Sequence, residues 1–225
     1  MFERRFPLSL AGPLVAVMAL AACVGGSDDR RASTPAKRPA PARHFVQDQD
    51  TRQCLADLGA ASVRYTALPD QRFGGGCTSL GAVKLIDIGT PVTNLGAMTC
   101  PLAKTFAAWA RHGVAPAARY YLGSDLVKIE TMGTYSCRNI NGAASGKLSE
   151  HAHSNAVDVS AFVLADGRRI AVRGGWRDGT RKERDFLRRI HDSACKRFAT
   201  VLSPDYNSAH YDHLHFDMGR GPFCR

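Results

Sequence analysis

The spacing of apolar residues predicts a mixture of helices and strands rather than a purely helical or purely β protein. Apolar positions recur at three and four residues over 180–198, which predicts the longest helix, with basic residues on its opposite side. Continuous apolar runs over 126–132 and 156–164 predict two buried strands, and a last strand is expected at 213–217. The dipeptide Asp166-Gly167 predicts a hairpin turn into a further strand at 170–172.

Shorter elements are predicted from helix and strand boundary signals. Residues 51–58 are expected to form a helix that ends at Gly59, followed by a strand at 62–68. Pro101 suits the first turn of a helix that runs to about residue 112 and stops at Gly113. Pro116 is expected to open a second short helix that ends near Gly123.

Helices mixed with hairpins predict the α+β class. We expect one domain over residues 44–225, built from a small antiparallel sheet flanked by helices.

The first 43 residues differ in composition from the domain. Arg4 and Arg5 precede an apolar run that ends at Ala22, which is typical of a secretory signal and too short to span a membrane. Residues 20–23 resemble a bacterial lipobox, which predicts a signal peptide over 1–22 and a lipid on Cys23. The alternative is an ordinary signal peptide with an unrelated cysteine. Residues 23–43 are rich in Pro, Ala and Arg and are expected to form a disordered tether.

These features predict a lipid-anchored protein of the cell envelope that faces the periplasm, with the outer membrane as the expected location.

Of the 225 residues 44% are hydrophobic and 22% charged, which excludes a disordered or coiled-coil protein. Without the expected signal peptide the chain keeps 28 basic and 19 acidic residues, a formal charge of +9. A basic surface attracts polyanions. However, aromatic residues are not interspersed among the basic ones in the way that is typical of a nucleic-acid site. Nucleic acid is therefore not an expected partner.

The cysteines that remain after Cys23 are even in number, as expected for a disulfide-bonded exported protein. Three disulfides are predicted among Cys54, Cys77, Cys100, Cys137, Cys195 and Cys224. Sequence alone does not select the pairing, but nearest-neighbour order closes the shortest loops. That order joins Cys54 to Cys77, Cys100 to Cys137 and Cys195 to Cys224. A cysteine zinc knuckle is rejected because the chain has no C-x-x-C motif.

Two short segments of the domain hold five of the eight histidines. The first contains His151 and Asp158, and the second contains His213 and His215. On a strand, residues two apart share a face, so His213 and His215 are expected to point the same way. Imidazole and carboxylate are ligands that suit Zn²⁺, and three protein ligands with a fourth position left to water are typical of catalytic sites. His151, Asp158 and His215 are therefore the predicted zinc ligands.

These segments resemble the bacterial extensin-like C-terminal domain family. That family is similar to the zinc D-Ala-D-Ala carboxypeptidases and L-alanyl-D-glutamate endopeptidases of the hedgehog/DD-peptidase superfamily. The pattern S-x-H-x-x-G-x-A-x-D, followed later by a carboxylate shortly before H-x-H, is matched by Ser149, His151, Ala156, Asp158, Asp212, His213 and His215. The resemblance extends over about residues 54–224. Ser154 stands where the family has glycine, which would strain the ligand geometry if that position needs a positive φ.

The resemblance implies a zinc-dependent hydrolase of peptidoglycan stem peptides, acting as a carboxypeptidase or an endopeptidase. Asp212 would be the base that accepts a proton from water, placed before the strand so that the backbone turns it inward. His213 would donate a hydrogen bond to the oxyanion or hold a ligand in place. Arg138 would hold a substrate carboxylate, although its position beside Cys137 also fits a surface charge.

Two other classes of function remain open from the sequence. One is a non-catalytic binding or structural lipoprotein on the same metal-binding fold. The other is an envelope adhesin that acts through its positive charge. His153 is expected to be a solvent-facing neighbour rather than a fourth ligand. His210 and Asp217 are expected either to support the ligands or to play no part in the site.

Overall fold

The computed structural model describes residues 49–225. The predicted signal peptide, Cys23, the tether and the expected domain start at residue 44 lie outside the described residues. The helices are Gln49–Ala60 (α1), Cys100–Trp109 (α2), Ala115–Ala117 (α3), Val172–Gly175 (α4) and Arg181–Cys195 (α5). The strands are Arg64–Ala67 (β1), Gln71–Arg72 (β2), Thr78–Ser79 (β3), Ala82–Asp87 (β4), Val92–Thr93 (β5), Met98–Thr99 (β6), Leu126–Gly133 (β7), Ala156–Leu164 (β8), Arg169–Ala171 (β9), Thr200–Leu202 (β10), Leu214–Asp217 (β11) and Phe223–Cys224 (β12).

A central sheet organises the domain and carries the site. Its strand order is β12-β10-β11-β8-β7-β5, and β9 pairs with β8. The pairings are antiparallel except for β10 with β12 and β5 with β7. Smaller sheets are formed by β1-β4-β6 and by β2-β3. The mixture confirms the predicted α+β class, and the bounds predicted for β8 are those observed.

Helix α5 supplies much of the core behind the central sheet. It begins with a capping box, because Thr180 accepts a hydrogen bond from the Glu183 N–H and the Glu183 side chain accepts one from the Thr180 N–H. Its apolar face is buried and its arginine-rich face is exposed, as predicted. Trp109 of α2 donates its indole N–H to the Ile190 carbonyl at 3.0 Å. The same indole ring lies 4.9 Å from the ring of Phe216 in β11, so the core packs directly behind a strand of the site.

The predicted helix break at Gly113 is wrong. The segment after α2 continues through wide turns at Ala110–Val114 and Ala118–Leu122, with α3 between them. It ends at Gly123, whose φ of 68° is left-handed. A β-carbon at Gly113 would lie 2.6 Å from the Ser193 hydroxyl oxygen, so this glycine permits close packing against α5.

Two other helix boundaries are also corrected. Gly59 lies inside α1 rather than ending it, because the helix extends to Ala60. Pro116 does not open a separate helix, since it lies in α3, within the continuous helical segment. None of the helices in residues 49–225 is both long and apolar enough to cross a membrane.

The disulfides join Cys54 to Cys100, Cys77 to Cys137 and Cys195 to Cys224. The nearest-neighbour prediction is right for the last pair and wrong for the other two. Loop length in the unfolded chain favours near pairs, but the folded chain packs α1 against α2 and so brings Cys54 beside Cys100. The sulfurs of Cys77 and Cys137 meet across a separation of 60 residues, which ties the segment after β7 to the β2-β3 hairpin.

Candidate metal centre

Adjacent strands and one short turn bring the predicted ligands together. Asp158 in β8 and His215 in β11 are direct partners in the antiparallel register. His151 lies in the single turn Glu150–His153, whose first N–H groups are capped because the Ser149 hydroxyl accepts a hydrogen bond from the His151 N–H. The three residues are only 3%, 6% and 7% exposed for His151, Asp158 and His215.

The ligand atoms lie close to one another. His151 Nε2 is 3.1 Å from Asp158 Oδ2 and 3.2 Å from His215 Nδ1. His215 Nδ1 is 2.9 Å from Asp158 Oδ1. Ligands at tetrahedral Zn²⁺ bond lengths stand about 3.3 Å apart, so the observed separations suit a shared zinc ion. The predicted convergence of these three side chains is present.

The outer nitrogens of both imidazoles fix which ring nitrogen faces the centre. His151 Nδ1 lies 3.1 Å from the Thr134 carbonyl oxygen, and His215 Nε2 lies 3.0 Å from Asp217 Oδ2. Both partners are acceptors, so these outer nitrogens carry protons and the inner nitrogens are the ones that could bind a metal ion. A proton held between His215 Nδ1 and Asp158 is what a divalent cation would replace. The donor set therefore fits a metal ion.

The Asp158 carboxylate and the His215 imidazole each shift the pKa of the other toward its charged form. Burial raises the pKa of Asp158, but hydrogen bonds with His151 and His215 outweigh it and hold that pKa well below its usual range. Burial lowers the pKa of His215, but the Asp158 and Asp217 carboxylates outweigh it and raise the pKa to about 9. The pocket thus keeps a carboxylate ionised away from water, as metal ligation requires.

Ser154 has a left-handed backbone, the conformation under which strain was expected for a residue other than glycine. Its φ is 54°, in the left-handed region, and its side chain is buried with the hydroxyl donating to Ser79 Oγ at 3.0 Å. Its N–H lies 3.2 Å from the His151 carbonyl oxygen. The position therefore needs a positive φ, and the serine meets that need without separating His151 from Asp158.

The three residues predicted for catalysis occupy different places. His213 is buried at the cavity wall, with Nε2 3.6 Å from Asp158 Oδ1. Asp212 accepts a hydrogen bond from His213 Nδ1 at 2.9 Å, and it does not line the cavity. Arg138 is half exposed and places Nη2 3.6 Å from Asp158 Oδ2. His213 and Arg138 therefore face the ligand cluster, whereas Asp212 contacts it through His213.

A surface cavity of about 520 Å³ lies over the cluster, a size in the range of small-molecule sites. The segment after β7 contributes Arg138 and Lys147, and the loop before β12 contributes Arg220. Glu150 also lines the cavity, and its carboxylate accepts a hydrogen bond from Asn155 Nδ2 at 2.7 Å. Aromatic and apolar side chains also line the wall, including the half-exposed Tyr206 and Phe223.

The neighbouring histidines differ in their relation to the cluster. His210 lines the same cavity, and burial together with the charges of His213 and His215 lowers its pKa to about 4. Its Nδ1 lies 2.7 Å from Asn207 Oδ1. His153 is half-buried and lies 3.0 Å from the Thr78 hydroxyl, outside the ligand set.

Sequence reasoning left the role of Asp217 open and missed that of Thr134. Asp217 lies two residues after His215 on the same strand, and this alternation is the signal that could have assigned it. Thr134 acts through its backbone carbonyl, so no residue-type signal exists for it. A second grouping, of His191 with Cys195 and Cys224, offers no thiolate ligand because its cysteines form a disulfide.

Fold and site together define a disulfide-bonded α+β domain with a buried cluster of metal-ligand type beneath a surface cavity. Residues 52–225 match the family model described as Extensin-like protein C-terminus, and the chain belongs to this family. The resemblance noted from the two histidine-rich segments is confirmed at the level of the family. No curated protein and no solved structure matched the chain.

Proposed function

We propose that this protein is a zinc-dependent hydrolase that cleaves a peptide bond in peptidoglycan stem peptides. The observation that carries the proposal is the convergence of two imidazole nitrogens and one carboxylate under an accessible cavity, with each imidazole oriented by a further hydrogen bond. We also propose kinship with the hedgehog/DD-peptidase superfamily, on the match of the residue pattern to this geometry.

His151 Nε2, one oxygen of Asp158 and His215 Nδ1 would hold the metal ion. When bound, Zn²⁺ would lower the pKa of a water molecule toward 7 and polarise a substrate carbonyl. Thr134 and Asp217 keep the two imidazoles in the tautomers that this ligation needs.

His213 and Asp212 form the proposed proton-transfer pair. Because Asp212 accepts the Nδ1 proton, His213 presents an unprotonated Nε2 on the side of Asp158. His213 Nε2 would accept a proton from the attacking water and return it to the leaving amine, while Asp212 stabilises the charged ring. Asp212, expected as the base from the sequence, thus acts through His213 in this proposal.

The cavity charges support an anionic substrate. Of the carboxylates that line it, Asp158 and Asp217 are bonded to imidazoles and Glu150 to an amide. With Zn²⁺ bound, its charge would offset Asp158 and Asp217, and Arg138, Lys147 and Arg220 would outnumber the remaining carboxylate of Glu150. Arg138 lies close enough to the ligand cluster to hold a substrate carboxylate near the scissile bond, which stem peptides provide.

For location we propose a lipid anchor on Cys23 and a domain that faces the periplasm. The three disulfides support an oxidising compartment. Cys23→Ala should move the protein from the membrane fraction to the soluble periplasmic fraction. Retention of the variant in the membrane would contradict the anchor.

Digestion of defined muropeptides by the zinc-loaded protein, read by mass spectrometry, tests the function. We expect release of one amino acid or one peptide, and loss of the product in His151→Gln. His153→Gln is the matched control, two residues away and outside the ligand set, and should keep the activity. Intact muropeptides with the native zinc-loaded protein would overturn the proposal.

A second pair of variants separates chemistry from metal binding. His213→Gln and Asp212→Asn should each lower kcat by about 10²- to 10⁴-fold while retaining bound zinc. Equal activity of both variants and the native protein would remove the proposed proton-transfer pair. Tight zinc-dependent binding of uncut muropeptides would instead identify a binding protein.

A further inference from the structure

A second cavity, of about 500 Å³, shares one wall-forming loop, residues 204–211, with the cavity over the ligand cluster. Tyr206, Ala209 and His210 line the cavity over the ligand cluster, whereas Asp205, Asn207, Ser208 and Tyr211 line the second one. The remaining wall comes from the turn after β9, with Arg173, Trp176, Arg177 and Asp178. The size lies within the range of small-molecule sites.

The charged groups of this second cavity balance. Arg173 and Arg177 face Asp178 and Asp205, and Arg177 Nη2 lies 3.6 Å from Asp205 Oδ1. Burial raises the pKa of Asp205, but a hydrogen bond with Arg188 and the nearby Trp176 indole outweigh it and lower that pKa. The lining therefore carries no net charge, and Arg188, which pairs with Asp205 but does not line the cavity, adds one positive charge beside it.

The cavity offers both hydrogen-bond donors and acceptors. Asn207 uses Oδ1 to bond Ala209 N–H and His210, which leaves its amide N–H groups to bond elsewhere. Trp176 is 1% exposed, and its indole N–H is directed toward the Asp205 carboxylate. The donors left for a ligand are therefore the Asn207 amide and the two arginines of the lining.

Flat aromatic surface borders the same space. Tyr211 is 53% exposed, and the Arg173 guanidinium lies 5.4 Å from the centre of its ring. The ring of Trp176 is covered by Arg188 at 3.7 Å, which fixes its orientation. A neutral ligand with an apolar face and a rim of hydroxyl groups matches this arrangement, because each hydroxyl both donates and accepts.

We propose that the second cavity is a carbohydrate subsite that binds a pyranose of a glycan strand. The ring packs on Tyr211, and its hydroxyl or amide oxygens meet Asn207 and the two arginines. Asn207 also bonds His210 of the first cavity, so a sugar held here lies next to the loop that walls the cavity over the ligand cluster. The subsite needs neither metal nor hydrolysis.

The probe is the β-1,4-linked tetramer of N-acetylglucosamine, titrated against the full chain in EDTA. Trp176 borders the cavity while Trp109 is buried in the core, so tryptophan fluorescence reports on this site. We expect a saturable fluorescence change that disappears in Trp176→Phe. Calorimetry should show affinity lowered at least about fivefold in Tyr211→Ala, since an aromatic contact is worth about 1 kcal/mol or more.

Tyr120→Ala is the matched control, because Tyr120 is 82% exposed and lies outside the cavity. It should bind the tetramer as the native protein does. Absence of saturable binding to the native chain, or equal affinity of the Tyr211 and Tyr120 variants, would overturn the subsite. Competition by millimolar inorganic phosphate would also overturn it, since that result identifies an anion site.

Discussion

Asp217→Asn tests how far the metal affinity depends on the group behind His215. Asp217 is buried and uses both carboxylate oxygens: Oδ2 lies 3.0 Å from His215 Nε2, and Oδ1 accepts the Gly219 N–H at 2.9 Å. An asparagine has one such oxygen, so its NH₂ group must face one of these two donors. Either the His215 imidazole or the Gly219 N–H then loses its hydrogen-bond acceptor.

The expected loss is about 10- to 100-fold in zinc affinity, or about 1.4–2.7 kcal/mol. Competition with a chromophoric zinc chelator at fixed pH measures this affinity directly. Asp125→Asn is the control, because Asp125 is exposed and does not line the cavity. If Asp217→Asn binds zinc as tightly as the native protein, the orientation of His215 by Asp217 does not tune the site.

Three further predictions concern the stability of the fold. Ser154→Gly should be more stable than Ser154→Ala by about 1 kcal/mol in urea unfolding, because both lose the bond to Ser79 but only glycine relieves the left-handed backbone. The double variant Cys54→Ala/Cys100→Ala should lose about 2–4 kcal/mol of unfolding free energy, since this bridge closes a separation of 46 residues. Lys128 and Arg169 lower the pKa of Glu130 from 4.5, so the stabilisation from its ionised form is present above pH 4.5 and is lost as pH falls through the folded-state pKa. Glu130→Gln should therefore be less stable than the native protein at neutral pH, with the difference shrinking in acid.

Each of these has a plain contrary result. Equal stability of the two Ser154 variants would show that its backbone carries no strain. A double cysteine variant that unfolds like the native protein would show that the bridge between α1 and α2 does not limit the unfolded chain. A stability difference for Glu130→Gln that is constant with pH would show that its ion pairs do not act through ionisation.

The local hydrophobic pattern was sufficient to predict the elements that have a continuous or a periodic run of apolar residues. The run 156–164 is apolar throughout, and β8 has those bounds because it lies in the interior of the sheet. The longest helix followed from its three-and-four spacing, although it ends at Cys195 rather than at the predicted residue 198. His151, Asp158 and His215 could be selected because their residue types and spacing carry the chemistry of zinc ligation.

What the sequence did not provide depends on contacts between distant segments. Gly113 was expected to stop a helix, but its role is to admit Ser193 of α5, which no local rule reveals. The pairing of Cys54 with Cys100 follows from the packing of two helices and not from loop length. The position of Asp212 behind His213 depends on how the chain turns before β11, which residue type alone does not reveal.

Crystals grown with zinc, examined by anomalous diffraction at the zinc absorption edge, would show whether His151, Asp158 and His215 hold one metal ion together. We expect a peak within about 2.0–2.2 Å of His151 Nε2, an Asp158 carboxylate oxygen and His215 Nδ1 together. A zinc-saturated crystal with no peak at these three atoms, or with its peaks elsewhere on the chain, would contradict the proposed metal centre.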